Sequence, residues 1–158
     1  MDETTGRLTR IVLEGEPLHR ISPTQAADRA QAVMDLQAEN QFFPTSRQDL
    51  QSILHLSLHE GRLVFDIRDA EDTPVIAVML ALGPFKMLIK DYQMLLESYA
   101  GAVAEGREAK IQAIDMGRRG LHNEGAELMI ARLEGKVVID FATARRLFTL
   151  VCALHQKL

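Results

Sequence analysis

Ile53-Leu54-His55-Leu56-Ser57-Leu58, followed by His59-Glu60-Gly61-Arg62 and then Leu63-Val64-Phe65-Asp66-Ile67-Arg68, is the stretch that decides the fold of this chain. In the first run Leu54, Leu56 and Leu58 fall on one side and Ile53, His55 and Ser57 on the other, the period of two expected of a half-buried strand. In the last run Phe65 and Ile67 alternate with Val64 and Asp66 in the same way. Glu60-Gly61 between them is a compact turn signal, so the pair reads as a β-hairpin.

Working outward, a polar turn from Asp69 to Pro74 leads into Val75 to Leu82, an unbroken apolar run. Such a run predicts a central strand buried on both faces. On the other side, Leu8, Ile11 and Leu13 predict a short strand over Arg7 to Leu13. Ser22-Pro23 then marks a helix start, serine as N-cap and proline at the first helical position. That helix is expected to reach about Asn40, with Ala26, Ala30, Val33 and Leu36 or Gln37 along its inward side, before Phe42-Phe43-Pro44 closes the segment.

Beyond Gly83-Pro84 the period becomes helical. Phe85, Leu88, Ile89, Tyr92, Leu95, Leu96, Tyr99 and Val103 form one broad stripe, and Met87, Met94 and Gly101 a second line on the opposite side. A helix apolar on two sides is expected to be sandwiched, between the sheet and another helix or a second subunit. A stretch from Glu108 to Leu133 follows, with Gly135 placed as a helix-ending glycine. Val137 to Ile139 predicts a short strand, and Asp140 caps a last helix through about His155, with Ala144, Leu147, Phe148, Val151 and Leu154 facing the core. The expected architecture is one α+β domain over residues 1–158: a small antiparallel sheet with helices packed mainly on one face. Met1 to Gly6 is expected to be a flexible tail.

Composition narrows the class. The 158 residues suit one domain, and 47% hydrophobic with 25% charged residues is the balance of a globular protein. The net charge of −4, 5% aromatics, no tryptophan and no basic stripe leave a nucleic-acid partner without support. Val75 to Leu82 is far short of the roughly 18 apolar residues that cross a bilayer, so no membrane association is expected. Asp2 and Glu3 stand where a secretory signal needs a basic start, and the single Cys152 fits a reducing compartment. The expected location is the cytoplasm.

Chemistry concentrates in Asp115-Met116-Gly117-Arg118-Arg119-Gly120-Leu121-His122-Asn123-Glu124-Gly125. Two geometries fit it. If Lys110 to Leu133 is one helix, Ile111, Ile114, Leu121, Gly125, Leu128 and Met129 form its apolar stripe and Arg118 falls within that stripe. A buried guanidinium needs a partner, and Asp115 is the local candidate. If Gly117, Gly120 and Gly125, each costing about 1 kcal/mol in a helix interior, break the helix, the residues Met116 to Gly120 form a turn. Backbone N–H groups beside Arg118 and Arg119 would then cradle an anion. One reading is a structural Asp115–Arg118 pair with His122 and Asn123 satisfying a helix end. The other is a ligand site of Arg118, Arg119, His122, Asn123, Glu124 and Asp115, in which His122 is the candidate catalytic acid or base.

Other constellations carry less. His19, His55, His59, His122 and His155 are scattered, without the i, i+4 spacing of a zinc-binding helix, and no metal or cofactor is expected. Cys152 reads as a buried, inert thiol. His155 reads as a hydrogen-bonded residue at the core edge. Lys90-Asp91-Tyr92 projects to three sides of its helix, and Arg145-Arg146 reads as the solvated side of the last one.

Taken together, Leu63 to Arg68, Ile114 to Gly125 and Asp140-Phe141-Ala142-Thr143-Ala144-Arg145-Arg146-Leu147-Phe148-Thr149-Leu150 resemble the uncharacterised protein family 262, a group of small alphaproteobacterial proteins. The likeness covers nearly the whole chain and is densest from Leu63 to His155. It implies a bacterial cytosolic origin, one domain and no assigned activity, and it transfers no site residue. Two functions follow from the residues themselves. The first is a non-catalytic regulatory or protein-interaction protein, a homodimer or the partner of another bacterial protein, because Met-lined surfaces adapt to partners. The second is an enzyme or binding protein that takes an anionic small molecule, bearing phosphate or carboxylate, through Arg118, Arg119 and His122.

Overall fold

The computed structural model describes residues 5–14 and 22–155. The hairpin is where the alternation puts it. Strand β3 (Gln51–His59) pairs antiparallel with β4 (Arg62–Arg68), with Leu54, Leu56, Leu63, Phe65 and Ile67 fully buried. Glu60 and Gly61 both take positive φ, 49° and 75°, the backbone of a tight two-residue turn whose twist matches the strands it joins.

The strand order is β1-β3-β4-β5, where β1 is Arg7–Glu14 and β5 is Pro74–Ala81. The α+β class stands, and two details of the expected sheet are corrected. Strand β1 runs parallel to β3, so the sheet is mixed rather than antiparallel. The connection between them is long enough to hold helix α1 (Pro23–Ala38) and the short strand β2 (Phe42–Pro44), and a crossover of that length allows parallel pairing. Strand β5 is an edge and not the centre: Val78 and Leu80 are buried, but Ile76, Ala77, Met79 and Ala81 are exposed. Apolar composition marks a strand but does not say how many neighbours it has.

Helix α2 (Lys86–Glu105) follows a single 3-10 turn, Gly83–Phe85, and α3 (Glu108–Leu133) packs back against it. Strand β6 (Val137–Ile139) pairs antiparallel with β2. Helix α4 (Phe141–Leu154) carries the expected Asp140 N-cap, whose side chain accepts from the Thr143 N–H. Its residues from Leu147 to Leu154 are all buried, because α1 and α3 both pack on it and the core closes behind them. Gly135 has a φ of 80°, and the Lys136 N–H beyond it closes on the Leu133 carbonyl, as a helix-ending glycine permits.

Helix α1 begins at Ser22 with a complete capping box: Ser22 Oγ accepts from the Gln25 N–H and Gln25 Oε1 from the Ser22 N–H. Its inward side matches the expected one at Leu36, which is buried, and at Val33, which packs on the core, but not at Ala30. Ala32 and Leu36 are its buried residues, Asp28 lies on the same side, and Ala30 is exposed. Of the expected N-terminal tail, Met1 to Thr4 lie outside the described residues, and Gly6 is tied in: its N–H donates to Leu50 and its carbonyl accepts from Phe42. The two-sided reading of α2 is half met. Ile89, Tyr92 and Leu96 are buried, whereas Met87 and Met94 are 71% and 55% exposed, so no described residue covers them.

Candidate functional site

Helix α3 runs unbroken through the glycine-rich stretch, so the turn and its backbone anion cradle do not form. Tertiary packing outweighs the glycine cost. At Gly125 a Cβ would lie 2.4 Å from the Phe148 ring, so the missing side chain is what lets α3 meet α4. Gly117 faces Leu95 at ordinary contact, and nothing comes within 4 Å of a Cβ at Gly120.

Continuity leaves Arg118 on the inward stripe, and its partner is Asp28 of α1, not Asp115. Arg118 Nη2 donates to Asp28 Oδ1 at 3.2 Å, and its guanidinium carbon lies 5.6 Å from the centre of the Tyr99 ring. The second Asp28 oxygen accepts from the Tyr92 hydroxyl of α2 at 2.6 Å. His122 Nε2 lies 3.1 Å from that hydroxyl and 3.2 Å from Thr149 Oγ1 of α4. The donors have one consistent direction. Tyr92 has a single proton and gives it to the carboxylate, and Thr149 can give its own to the Arg145 carbonyl at 3.3 Å. His122 then holds its proton on Nε2 and donates to both oxygens. All four helices contribute to one network.

Burial dominates its electrostatics. Desolvation, with Arg145 and Arg118 nearby, lowers the His122 pKa to about 4, so the ring is neutral at pH 7. Desolvation and the adjacent Asp28 charge push the Tyr92 hydroxyl far above its usual range. Although desolvation opposes it, the Tyr92 and Asp28 contacts hold the Arg118 pKa above normal, and Asp115 adds only the weakest pull.

Above the network lies a cleft of about 290 Å³ between α1, α3 and α4. Arg118, His122 and Thr149 form part of its wall, joined by Asp28, Asp35, Arg145 and Arg146. Three arginines face two aspartates, a local positive excess in a chain of net charge −4. Arg145 departs from the solvated role expected of it. It is partly buried, its Nε is enclosed, and no protein acceptor meets that Nε among the described residues. Arg146 Nη1 donates to the Glu39 carbonyl at 3.1 Å.

Of the six residues expected to bind a ligand, Arg118 and His122 therefore reach the cleft. Arg119, Asn123 and Glu124 are exposed and do not line it, nor does the half-buried Asp115. His122 and Asn123 sit in mid-helix rather than at a helix end. Among the cleft residues that sequence reasoning passed over are Asp28, Arg145 and Thr149. The signal for Asp28 is its i, i+4, i+7 spacing with Ala32 and Asp35. Ala142, Arg145 and Thr149 likewise share one side of α4.

The remaining candidates are quiet. Cys152 is buried, and burial raises its thiol pKa well above normal. Gln93 Nε2 donates to the Cys152 carbonyl at 3.2 Å and to that of His155, whose imidazole Nε2 is buried without a partner among the described residues. Among the described residues no cluster of three metal-ligating side chains occurs, and no helix is long and apolar enough to cross a membrane.

Residues 5–157 match the model of an uncharacterised protein family, UPF0262. A UPF0262 protein of Acidiphilium cryptum is 62% identical over 155 residues, covering 98% of this chain and 96% of the relative. A UPF0262 protein of Granulibacter bethesdensis is 62% identical over 161 residues, covering 96% and 91%. One of Rhodospirillum rubrum is 49% identical over 153 residues, covering 97% and 94%. No solved structure matches.

Proposed function

The chain belongs to the uncharacterised protein family UPF0262, and we propose that it is a non-catalytic binding protein for a small anion bearing carboxylate or phosphate, held in the α1–α3–α4 cleft. The observation that carries this reading is Arg145, a cleft-lining guanidinium with no carboxylate partner among the described residues and an enclosed, unmet Nε. Arg146 stands beside it, and Arg118, already engaged by Asp28, supplies positive field rather than a free hand. The cleft volume lies at the lower limit of typical ligand sites, about 300 Å³, which suits a small acid rather than a nucleotide.

Binding fits the site better than catalysis. A general acid or base works best with a pKa near the working pH. His122 is displaced to about 4 and Tyr92 is displaced upward, so neither is poised at neutrality. The buried, unpaired Cys152 supports a cytoplasmic location, and one buried cluster drawn from every helix and from the sheet supports a single domain.

Inorganic phosphate and citrate at millimolar concentration, added while the His122 imidazole resonances are followed by NMR, test the proposal. A saturable shift that Arg145→Ala abolishes without moving the thermal midpoint is the expected result. No shift with either ion, or the same shift in the variant, rejects it.

A further inference from the structure

The two edges of the main sheet are unlike. Strand β1 has the features that discourage a further strand: Arg10 and Glu14 are exposed on it, and its register slips between Leu8 and Arg10. Strand β5 has a proline and a register shift only at its beginning, near Pro74. From Val75 to Phe85 it is followed by no charged residue, and its composition is that of an interior strand. Ile76 and Met79 are exposed on it at 37% and 56%.

The backbone direction along β5 follows from one hydrogen bond. Leu82 N–H donates to the Gly61 carbonyl at 2.9 Å, toward β4. Backbone groups alternate along a strand, so those of Val78 and Leu80 also face β4, while those of Ala77, Met79 and Ala81 face away from the sheet. Each of these three residues presents one donor and one acceptor at an edge that no described strand covers, a pattern that an extended chain matches.

We propose that β5 pairs antiparallel with β5 of a second copy across a two-fold axis at Met79, making one continuous eight-stranded sheet. A two-fold axis there sets Met79 opposite Met79 and Ala77 opposite Ala81, so the three outward residues of each copy exchange about six N–H···O bonds. The uncharged strand meets its own copy without like-charge opposition, as a charged edge would not. The inward-facing Ile76, Val78 and Leu80 extend the core layer across the junction, and the exposed Met79 side chains meet on the other face. The strand written as an interior one becomes interior in the dimer.

Light scattering and amide hydrogen exchange on the full chain test this. The wild type is expected to have twice the 17.7 kDa chain mass at micromolar concentration, with the Ala77, Met79 and Ala81 amides protected. Met79→Lys sets two ammonium groups against each other at the axis and is expected to give a folded species of single-chain mass in which those amides exchange fast. Should that variant fail to fold, the concentration dependence of the same three amides in the wild type decides. A wild-type monomer overturns the proposal. So does a dimer whose Ala77, Met79 and Ala81 amides are unprotected, or one that survives Met79→Lys, since either would pair through another surface. Protection of these amides in a monomer also overturns it, because the edge is then covered by the chain itself.

Discussion

The Tyr92 hydroxyl lies 2.6 Å from a carboxylate oxygen of Asp28, a residue 64 positions away in the chain and on a different helix. That one contact ties α1 to α2, turns the other Asp28 oxygen, Oδ1, toward Arg118, and leaves the Tyr92 oxygen free to accept from His122. Most of the polar chemistry beneath the cleft hangs on it.

Tyr92→Phe keeps the ring and its packing on Phe148 but removes the donor, leaving a partly buried carboxylate with one ligand fewer. Hydrogen bonds to charged groups contribute roughly 1.5–3 kcal/mol, so a loss of about 2 kcal/mol is expected by urea denaturation. Asp28→Ala is expected to cost more, about 3 kcal/mol, because it strands both the Arg118 cation and the Tyr92 hydroxyl. A double variant whose loss equals the sum of the single losses would mean that the two residues are not coupled.

The glycines of α3 are expected to separate sharply on substitution. Gly125→Ala drives a methyl group into the Phe148 ring, an overpacking cost of about 3 kcal/mol or more. Gly120→Ala meets nothing within 4 Å and is expected to stabilise by about 0.5–1 kcal/mol through helix propensity alone. Thermal midpoints moving in opposite directions are the check, and equal effects would contradict the α3–α4 contact.

The histidines give stability a pH dependence of opposite signs. The His122 pKa is lowered to about 4, so between pH 6.5 and 4 the unfolded chain takes up a proton that the folded one refuses. Stability therefore falls as pH falls through that window, by on the order of 2 kcal/mol after allowance for partial exposure, and His122→Gln is expected to remove that component. His55, between Glu14 and Asp72 at 2.7 and 2.9 Å, has a raised pKa even though desolvation, the largest single influence, opposes it. Its contribution is full below pH 6.5 and is lost as pH rises through the folded-state value. Chemical denaturation of wild type, His122→Gln and His55→Gln across pH 4–8 separates the two.

Cys152 is buried on α4 with its thiol held protonated, so it is expected to resist disulfide-exchange reagents in the native protein. One thiol per chain should react after unfolding, at a native-state rate set by opening of the core. Prompt labelling of the folded protein would place α4 at the surface.

Several elements were legible in the chain because they rest on relations among near neighbours. The β3–β4 hairpin follows from an alternation of two and a two-residue turn, the start of α1 from Ser22-Pro23, and the start of α4 from Asp140. Arg118 was visible as a polar residue on an apolar stripe for the same reason. Its partner was not, because Asp28 is 90 residues distant and a helical period names only partners three or four away. Helix α3 continued through three glycines because α2 and α4 pack on it, a gain that no sum of local propensities contains. The parallel pairing of β1, the edge position of β5 and the enclosure of Arg145 likewise depend on where distant segments close on one another. The sequence by itself determined the strands other than β2, the starts of α1 and α4, and the family. Only the tertiary structure decided which charges meet, which arginine is enclosed with an unmet Nε and which strand has no second partner strand among the described residues, because those are outcomes of long-range packing.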